Sequence, residues 1–257
     1  QQQIYAAMGW PTPVFAHIPL IHGPDGAKLS KRHGALGVEA YAQEGYLPEG
    51  LTNYLLRLGW SYGDEEIISR ERALDLFDIK DVNKAPARLD LEKLRHVNAY
   101  YIRLLTDDAF VEKAAPFFEK AGLAIDETHT ARLRRAAPFL KARCAILKEA
   151  PDAAAFLFVE RPFALSGKAA KPLEKDGARA IVKEVAGLLS AIDDWSEPAR
   201  LDAALKGCAA EKGLGFGEIG PALRAALTAG LPAPSLGEAL YALGKAESLA
   251  RLADQGR

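Results

Sequence analysis

RLDLEKLRHVNAYYIRLLTDDAFVEKAAPFFEKAG, residues 88–122, has the pattern of two consecutive α-helices. Apolar residues recur at helical spacing through residues 88–105 and again through residues 106–122. Thr106, which two aspartates follow, is typical of a helix N-terminus, and Gly122 is typical of a helix end. The stretch therefore predicts helical structure in this part of the chain.

The same helical spacing extends over most of the remaining chain. It begins near Gly45, and further helices are predicted over residues 178–192 and 197–212. Towards the C-terminus, Pro221 is predicted to occupy the first position of a helix that stops at Gly230. The pattern favours a mainly α protein.

Three further features mark boundaries along the chain. Ser235 and Glu238 form an S-x-x-E capping box ahead of another helix. Residues 165–178, LSGKAAKPLEKDGA, mix glycine, proline and charge, which predicts a linker between two helical bodies. Residues 13–21, PVFAHIPLI, are rich in β-branched and aromatic residues and lead to the turn GPDG at residues 23–26, which predicts a strand that enters a loop.

Composition argues against several classes of protein. The 257 residues are enough for two domains, and no apolar run approaches the ~20 residues of a membrane-spanning helix. Cys144 and Cys208 lie far apart without metal-binding spacing, which favours a reducing compartment and argues against a zinc site. Because 33 basic and 34 acidic side chains give a net charge of −1, local basic patches would have to bind any nucleic acid.

One such patch is GAKLSKRHGA, residues 26–35, which places Lys28, Lys31, Arg32 and His33 between two glycines. Glycine relieves backbone restrictions, so the loop can bend sharply and present its N–H groups. Cationic side chains together with exposed amides suit an anionic ligand. The alternative interpretation is a solvated basic turn.

A second patch, residues 131–148, contains six cations and no acidic residue. If this stretch is wound as a continuous helix, Arg143 falls in the middle of an apolar stripe. The residues of the stripe are Phe139, Leu140, Ile146 and Leu147. A guanidinium in that position either pairs with a carboxylate of another helix or projects to hydrogen-bond or stack with a nucleic-acid base. Both interpretations remain open.

Two other patterns are not interpreted as sites. GFGEIG, residues 215–220, matches the dinucleotide-binding fingerprint, but a charged helical segment precedes it where that fingerprint requires a strand. His17 and His22 are five residues apart on the predicted strand and therefore on opposite faces, which argues against a shared metal ion. No metal site is predicted.

LIHGPDGAKLSKRHGA, residues 20–35, resembles the K-M-S-K-S signature loop of class I aminoacyl-tRNA synthetases, in the K-L-S-K-R-H-G form typical of bacterial glutamyl-tRNA synthetases. GYLPEGLTNYLLRLGWSYGDEEI (45–67), RLDLEKLRHVNAYYI (88–102) and GPALRAALTAGLPAPSLGEALYALGKAESLARL (220–252) also resemble that family. The family's other signature, an H-x-G-H-like motif in the N-terminal half of a Rossmann fold, is not found in this sequence. The chain is therefore expected to be a C-terminal portion that lacks most of the Rossmann catalytic domain.

The resemblance implies a division of the chain into four parts. Residues 1–35 would be a short β-containing remnant of the class I catalytic domain, and residues 36–105 a helical stem-contact subdomain. Residues 106–170 and 171–257 would be two all-α anticodon-binding bundles. Because the glutamate pocket and most of the ATP site would lie in the missing half, the chain alone is expected neither to activate glutamate nor to charge tRNA, although it should bind tRNA weakly.

The resemblance also implies roles for individual residues. Lys31 would approach the phosphates of ATP as charge builds up during attack on the α-phosphate, and Lys28 is the second expected catalytic residue. The residues expected to bind ATP are Lys28, Leu29, Ser30, Lys31 and Arg32. Arg143, within KARCAILKE, matches an arginine that reads the third base of the anticodon.

The expected partner is tRNA-Glu, and whether tRNA-Gln is also accepted is left open. The parent protein is expected to be a cytoplasmic monomer that uses ATP with Mg²⁺ and glutamate, and no cofactor is expected to be held tightly by this chain. Two alternatives are a noncatalytic helical RNA-binding module and another class I synthetase, such as a glutaminyl enzyme. The helical tail favours the glutamyl branch, since the glutaminyl relatives carry β-barrels in that region.

Overall fold

The computed structural model describes residues 1–23, 25–29 and 37–257, and most of these residues are helical. The fourteen α-helices of the described part are α1 (Gln2–Ala7), α2 (Val38–Glu44), α3 (Pro48–Gly59), α4 (Arg70–Leu76), α5 (Leu91–Leu104), α6 (Asp107–Lys120), α7 (Glu127–Arg143), α8 (Ala150–Ala154), α9 (Lys171–Glu174), α10 (Ala178–Ser190), α11 (Pro198–Glu211), α12 (Phe216–Thr228), α13 (Leu236–Leu243) and α14 (Lys245–Gln255). The predicted mainly α class is confirmed.

The sheet of the described part has two short strands. Strand β1 (Ile21–His22) pairs in parallel with β2 (Ala87–Arg88), so that Ile21 lies opposite Ala87. The strand predicted over residues 13–21 is wrong except at its last residue. A strand forms only where its backbone groups are paired with a neighbouring strand. Strand β2 pairs with two residues, Ile21 and His22. Val14, which lies in the unpaired part of the predicted strand, is fully exposed.

The predicted capping residues at the N-termini of two helices are confirmed. The hydroxyl of Thr106 accepts the N–H of Ala109 at 3.2 Å, where α6 was predicted to begin. At α13, the Ser235 hydroxyl accepts the N–H of Glu238 at 3.2 Å, and the Glu238 carboxylate accepts the N–H of Ser235 at 2.8 Å. The reciprocal pair satisfies two N–H groups that the helix itself leaves free.

Helix α12 begins earlier than predicted. It starts at Phe216, and Pro221 lies inside it. The helix is capped within the glycine-rich stretch, where the Glu218 carboxylate accepts the N–H of Gly215 at 2.6 Å. The stretch of residues 215–220 therefore forms the cap and first turns of a helix.

One large hydrophobic core joins most of the helices, from Leu47 and Ile102 to Leu252. Leu173, within the predicted linker of residues 165–178, is buried in this core. That segment therefore packs against the helices, and the division into two helical bundles stays a prediction. A smaller, separate cluster lies nearer the N-terminus and consists of Tyr54, Leu89 and Leu94.

Candidate nucleic-acid interface

The predicted signature loop begins with a tight hairpin. The N–H of Leu29 donates to the carbonyl of Ile21 at 2.9 Å, and His22 forms an antiparallel bridge with Lys28. Gly26, at the turn, has a φ of +79°, a backbone conformation that favours glycine. Since β1 also pairs with β2, the hairpin is anchored to the helical body on its other side.

Two of the five residues predicted to bind ATP lie in the described part of the chain. The side chain of Lys28 is exposed, whereas Leu29 packs against the smaller hydrophobic cluster. Ser30, Lys31 and Arg32 lie outside the described residues. An exposed lysine beside a sharply bent backbone can offer both charge and N–H groups to an anion.

The second predicted site, for the anticodon, consists of Arg143, which lies at the C-terminal end of α7. Its side chain is exposed, and its Nη1 donates to the carbonyl oxygen of Ala233 at 3.2 Å. The contact reaches across 90 positions of sequence, to the loop between α12 and α13. A backbone carbonyl, and not a carboxylate, is therefore the partner that the structure gives this guanidinium.

The continuous apolar stripe predicted around Arg143 is wrong, because α7 ends at that residue. The Glu149 carboxylate accepts the N–H groups of Ala145 at 2.7 Å and Ile146 at 3.3 Å, which stops the helix. Arg95 of α5 pairs with the same carboxylate. Ile146 is buried, but it does not share a helix face with Arg143.

A second arginine, Arg224 of α12, meets Arg143 at the same place. Its Nη1 donates to the carbonyls of Ala233 at 3.2 Å and Pro234 at 2.8 Å. Sequence reasoning missed Arg224, because an isolated arginine in an amphipathic helix carries no sign of a distant partner. Two guanidiniums that share one carbonyl place a concentrated positive charge at this loop.

The other basic side chains of residues 131–148 bind within the protein. Their contacts are Arg132 with Glu247, Arg134 with Asp108, Arg135 with the carbonyls of Tyr241, Ala242 and Leu243, Lys141 with Asp107, and Lys148 with Glu44. Arg143 differs, since it is exposed and, among the described residues, makes one hydrogen bond, to a carbonyl oxygen, and no ion pair. A guanidinium has five N–H donors, so Arg143 is the cation of this group best able to bind an external acceptor.

Two kinds of feature are absent from the described residues. None of the described helices is both long and apolar enough to cross a membrane. No group of three or more histidine, cysteine, aspartate or glutamate side chains in the described part of the chain is placed to hold a metal ion.

Comparison with protein families gives two adjacent matches. Residues 109–255 match the family described as "Anticodon binding domain". Residues 1–96 match the family described as "tRNA synthetases class I (E and Q), catalytic domain". The first match includes Arg143 and Arg224, and the second includes the hairpin and the segment that follows it.

Individual relatives agree with these matches. The chain is 51% identical over 257 residues to "Glutamate--tRNA ligase 2" of Maricaulis maris and 48% identical over 255 residues to "Glutamate--tRNA ligase 1" of Hyphomonas neptunium. In each case 99% of this chain is covered, against 53% and 52% of the relative. The chain thus spans about half the length of these relatives.

A solved structure resembles the fold as well. It is the crystal structure of a glutamate tRNA ligase from Elizabethkingia meningosepticum in complex with its amino acid, with a TM-score of 0.79 and 28% sequence identity. The alignment covers 99% of this chain and 53% of that chain. Together, the matches confirm the resemblance found in the sequence.

Proposed function

We propose, because the chain belongs to the anticodon binding domain family, that it is the tRNA-binding portion of a glutamate–tRNA ligase. The observation that carries the proposal is the order of the two family matches in one chain. The match to the class I catalytic domain covers residues 1–96, and the match to the anticodon binding domain follows it over residues 109–255. The proposed parent protein uses ATP to activate glutamate and attaches it to tRNA-Glu. Its proposed location is the cytoplasm, and its proposed state is a monomer.

The proposed role of the hairpin is to contact ATP. Lys28 is exposed next to the bent backbone at Gly26, which suits a phosphate group. In the parent, Lys31 would stabilise the charge that develops as glutamate attacks the α-phosphate of ATP, and Leu29, Ser30 and Arg32 would contribute to binding. ATP is a substrate in this scheme, and Mg²⁺ would enter with its phosphates.

The proposed role of Arg143 is to read a base of the anticodon. Its exposure, and the absence of a carboxylate partner among the described residues, leave donors free for a base or a phosphate. Arg224 would support the same loop from the other side, since both arginines hold the carbonyl of Ala233. Unstacked bases of an RNA loop are recognised in this way, by hydrogen bonding to and stacking on arginine.

The test is binding of an anticodon stem-loop of tRNA-Glu to the 257-residue chain. Arg143→Gln should weaken binding by about tenfold, because a hydrogen bond from a charged donor is lost. Changing the third anticodon base should weaken wild-type binding by a similar factor and affect the variant little. Arg134→Gln is the matched control, since Arg134 is an exposed arginine of the same helix that is paired with Asp108.

Two results would contradict the proposal. If Arg143→Gln and Arg134→Gln bind the stem-loop equally well, Arg143 does not read the anticodon. If the purified chain catalyses glutamate-dependent exchange of pyrophosphate into ATP, the expectation that this chain alone does not activate glutamate is wrong.

A further inference from the structure

The chain leaves the helical conformation directly after Arg143. Cys144 and Ile146 have extended backbone conformations, with φ and ψ of −94° and 124° at the first and −138° and 152° at the second. The sequence nevertheless favours a longer helix, because apolar residues continue at helical spacing through Ile146 and Leu147. A contact from outside α7 must therefore end the helix at this point.

Helix α5 supplies that contact through two of its side chains. Arg95 pairs with the carboxylate of Glu149. That carboxylate accepts the N–H groups of Ala145 at 2.7 Å and Ile146 at 3.3 Å. Asn98, three residues after Arg95, donates from Nδ2 to the carbonyl of Ala145 at 2.6 Å. The N–H groups that would continue the hydrogen-bond ladder of α7 are thus already taken.

Arg95 and Glu149 form an ion pair in the folded protein. Burial alone would raise the pKa of the Glu149 carboxyl, but hydrogen bonds from Arg95 and from two backbone N–H groups outweigh burial and lower that pKa below its usual value. The hydrogen bond to Glu149 likewise raises the pKa of Arg95. A charge-assisted hydrogen bond is stronger than a neutral one. The carboxylate is therefore held firmly where it ends α7.

The end of α7 decides what surrounds Arg143. In a longer helix, Ile146 and Leu147 would lie three and four residues further on and would flank the guanidinium on one face. In the structure both of these residues are buried, whereas Arg143 is exposed at the last position of α7. Its Nη1 donates to the carbonyl of Ala233 at 3.2 Å. The ion pair of Arg95 with Glu149 therefore helps to fix both the exposure and the direction of Arg143.

We propose that Arg95 and Glu149 are positioning residues for Arg143, and that they set how well the protein distinguishes the anticodon base that Arg143 reads. The inference rests on the proposed function, since it requires that Arg143 contacts the anticodon. Neither positioning residue has to touch the RNA, because both act through the backbone that follows α7. Recognition by hydrogen bonds depends on orientation, so a displacement of about 1 Å is enough to weaken it.

The experiment measures the Kd of the 257-residue chain for the anticodon stem-loop of tRNA-Glu and for the same stem-loop with a changed third anticodon base. The ratio of the two Kd values is the base discrimination. Arg95→Gln and Glu149→Ala should each reduce this ratio by about threefold or more, and Arg143→Gln should reduce it further. Arg95→Lys keeps the charge and should recover part of the discrimination.

A double variant distinguishes a positioning role from a general structural one. If Arg95 acts through Arg143, Arg95→Gln should weaken binding of the stem-loop in the wild-type background and have no effect in the Arg143→Gln background. A merely structural role would weaken binding by the same factor in both backgrounds. Arg95→Gln leaves the Glu149 carboxylate on its two backbone N–H groups and should remain folded. The inference can therefore be judged on this variant alone if Glu149→Ala unfolds.

Arg103→Gln is the matched control for Arg95→Gln. Arg103 is an exposed arginine in the last turn of the same helix, α5. Its replacement removes the same charge without touching Glu149, so the Kd for the stem-loop and the base discrimination should both stay at the wild-type values. Thermal unfolding of every variant separates a loss of binding from a loss of folding.

Two outcomes would overturn the inference and leave the proposed function intact. In the first, Arg143→Gln loses base discrimination while Arg95→Gln keeps the wild-type ratio. In the second, Arg95→Gln weakens binding equally with and without Arg143. If Arg143→Gln distinguishes the third base as well as wild type does, or if wild type does not distinguish it, the proposed role of Arg143 fails and the positioning role fails with it.

Discussion

Arginine performs opposite tasks at different positions of this protein. Arg251 of α14 is completely buried, and its donors are used inside the core. They reach the carbonyls of Phe156, Leu227 and Val159 and the carboxylate of Glu247 at 2.7–2.8 Å. A buried charge is tolerated only when it is paired and hydrogen-bonded. Arg251 is therefore structural, whereas Arg143, the arginine proposed to bind RNA, keeps donors free.

Glu247 is the counter-charge on which this arrangement depends. Burial alone would raise the pKa of its carboxyl, but the hydrogen bond and charge of Arg251 and the charges of Arg132 and Arg161 outweigh that effect and lower the pKa below its usual value. A carboxyl whose pKa is lowered by folding stabilises the protein above the pKa of the unfolded chain. That contribution is lost as pH falls through the lower, folded-state pKa.

Glu247→Gln is expected to lower the free energy of unfolding at pH 7 by about 2 to 4 kcal/mol, because it leaves the buried Arg251 without a counter-charge. The difference between wild type and variant should shrink as pH falls below about 4.5, the usual value for glutamate. Urea unfolding followed by circular dichroism between pH 3 and pH 8 measures both effects.

Glu119→Gln is the control for this pH series. Glu119 is exposed on α6, so its replacement should change stability little. A constant difference between wild type and Glu247→Gln over the whole range would show that folding does not change the pKa of the Glu247 carboxyl, contrary to the effect expected from its arginine partners.

At the scale of elements, the connection between α2 and α3 is joined to the connection that follows α7. The carbonyl of Gly45 accepts the N–H of Leu147 at 3.0 Å. Asn98 of α5 reinforces the junction, since its Oδ1 accepts the N–H of Leu47 at 2.7 Å and its Nδ2 donates to the carbonyl of Ala145 at 2.6 Å. The junction holds the chain just after Arg143 against the helices that follow the signature loop.

Gly45→Ala is expected to disrupt this junction. Gly45 has a φ of +91°, and a Cβ atom there would lie 2.6 Å from the backbone nitrogen of Leu147. Strain and the clash together should lower the free energy of unfolding by about 2 to 4 kcal/mol. Chemical denaturation of the variant gives the value directly.

Gly187→Ala is the matched control for Gly45→Ala. Gly187 lies within α10, and an added Cβ would meet no atom within 4 Å. Alanine is a better helix former than glycine, so this variant should be about 0.5 to 1 kcal/mol more stable than wild type. Equal free energies of unfolding for the two variants would mean that the backbone near Gly45 moves away from the added Cβ without loss of stability.

Sequence reasoning succeeded where the signal is local and failed where the partner is distant. The caps at Thr106 and Ser235 were predictable, because the capping group lies three residues from the N–H that it accepts. The end of α7 was not, since Glu149 stops the helix while a residue of another helix, Arg95, holds its carboxylate. The same limit applies to the site, where Arg224 is 81 positions from Arg143 in sequence and meets it only in the folded chain.

At the scale of the whole molecule, burial is distributed unevenly along the chain. Helix α1 contains no buried residue, and apolar side chains such as Ile4, Trp10 and Val14 are more than half exposed. The helices from α5 onward, in contrast, share one continuous core. Because stability in a protein follows buried apolar contact, the two regions should unfold with different free energies.

Amide hydrogen exchange of the 257-residue chain should reveal this difference. Backbone amides of residues 1–20 are expected to exchange with an opening free energy near zero, since the segment contributes almost nothing to the core. Amides in α10, α12 and α14 are expected to open only with global unfolding, because their buried faces belong to the large core. Exchange followed by mass spectrometry at peptide resolution distinguishes the two classes.

Removal of residues 1–20 provides the control, because a segment that buries so little apolar surface should leave Tm within about 1 °C of the wild-type value. Exchange in α12 should likewise be the same with and without the segment. Slow exchange in α1, or a clear fall in Tm after the deletion, would mean that these twenty residues are packed against the helical body, contrary to the exposure of their side chains.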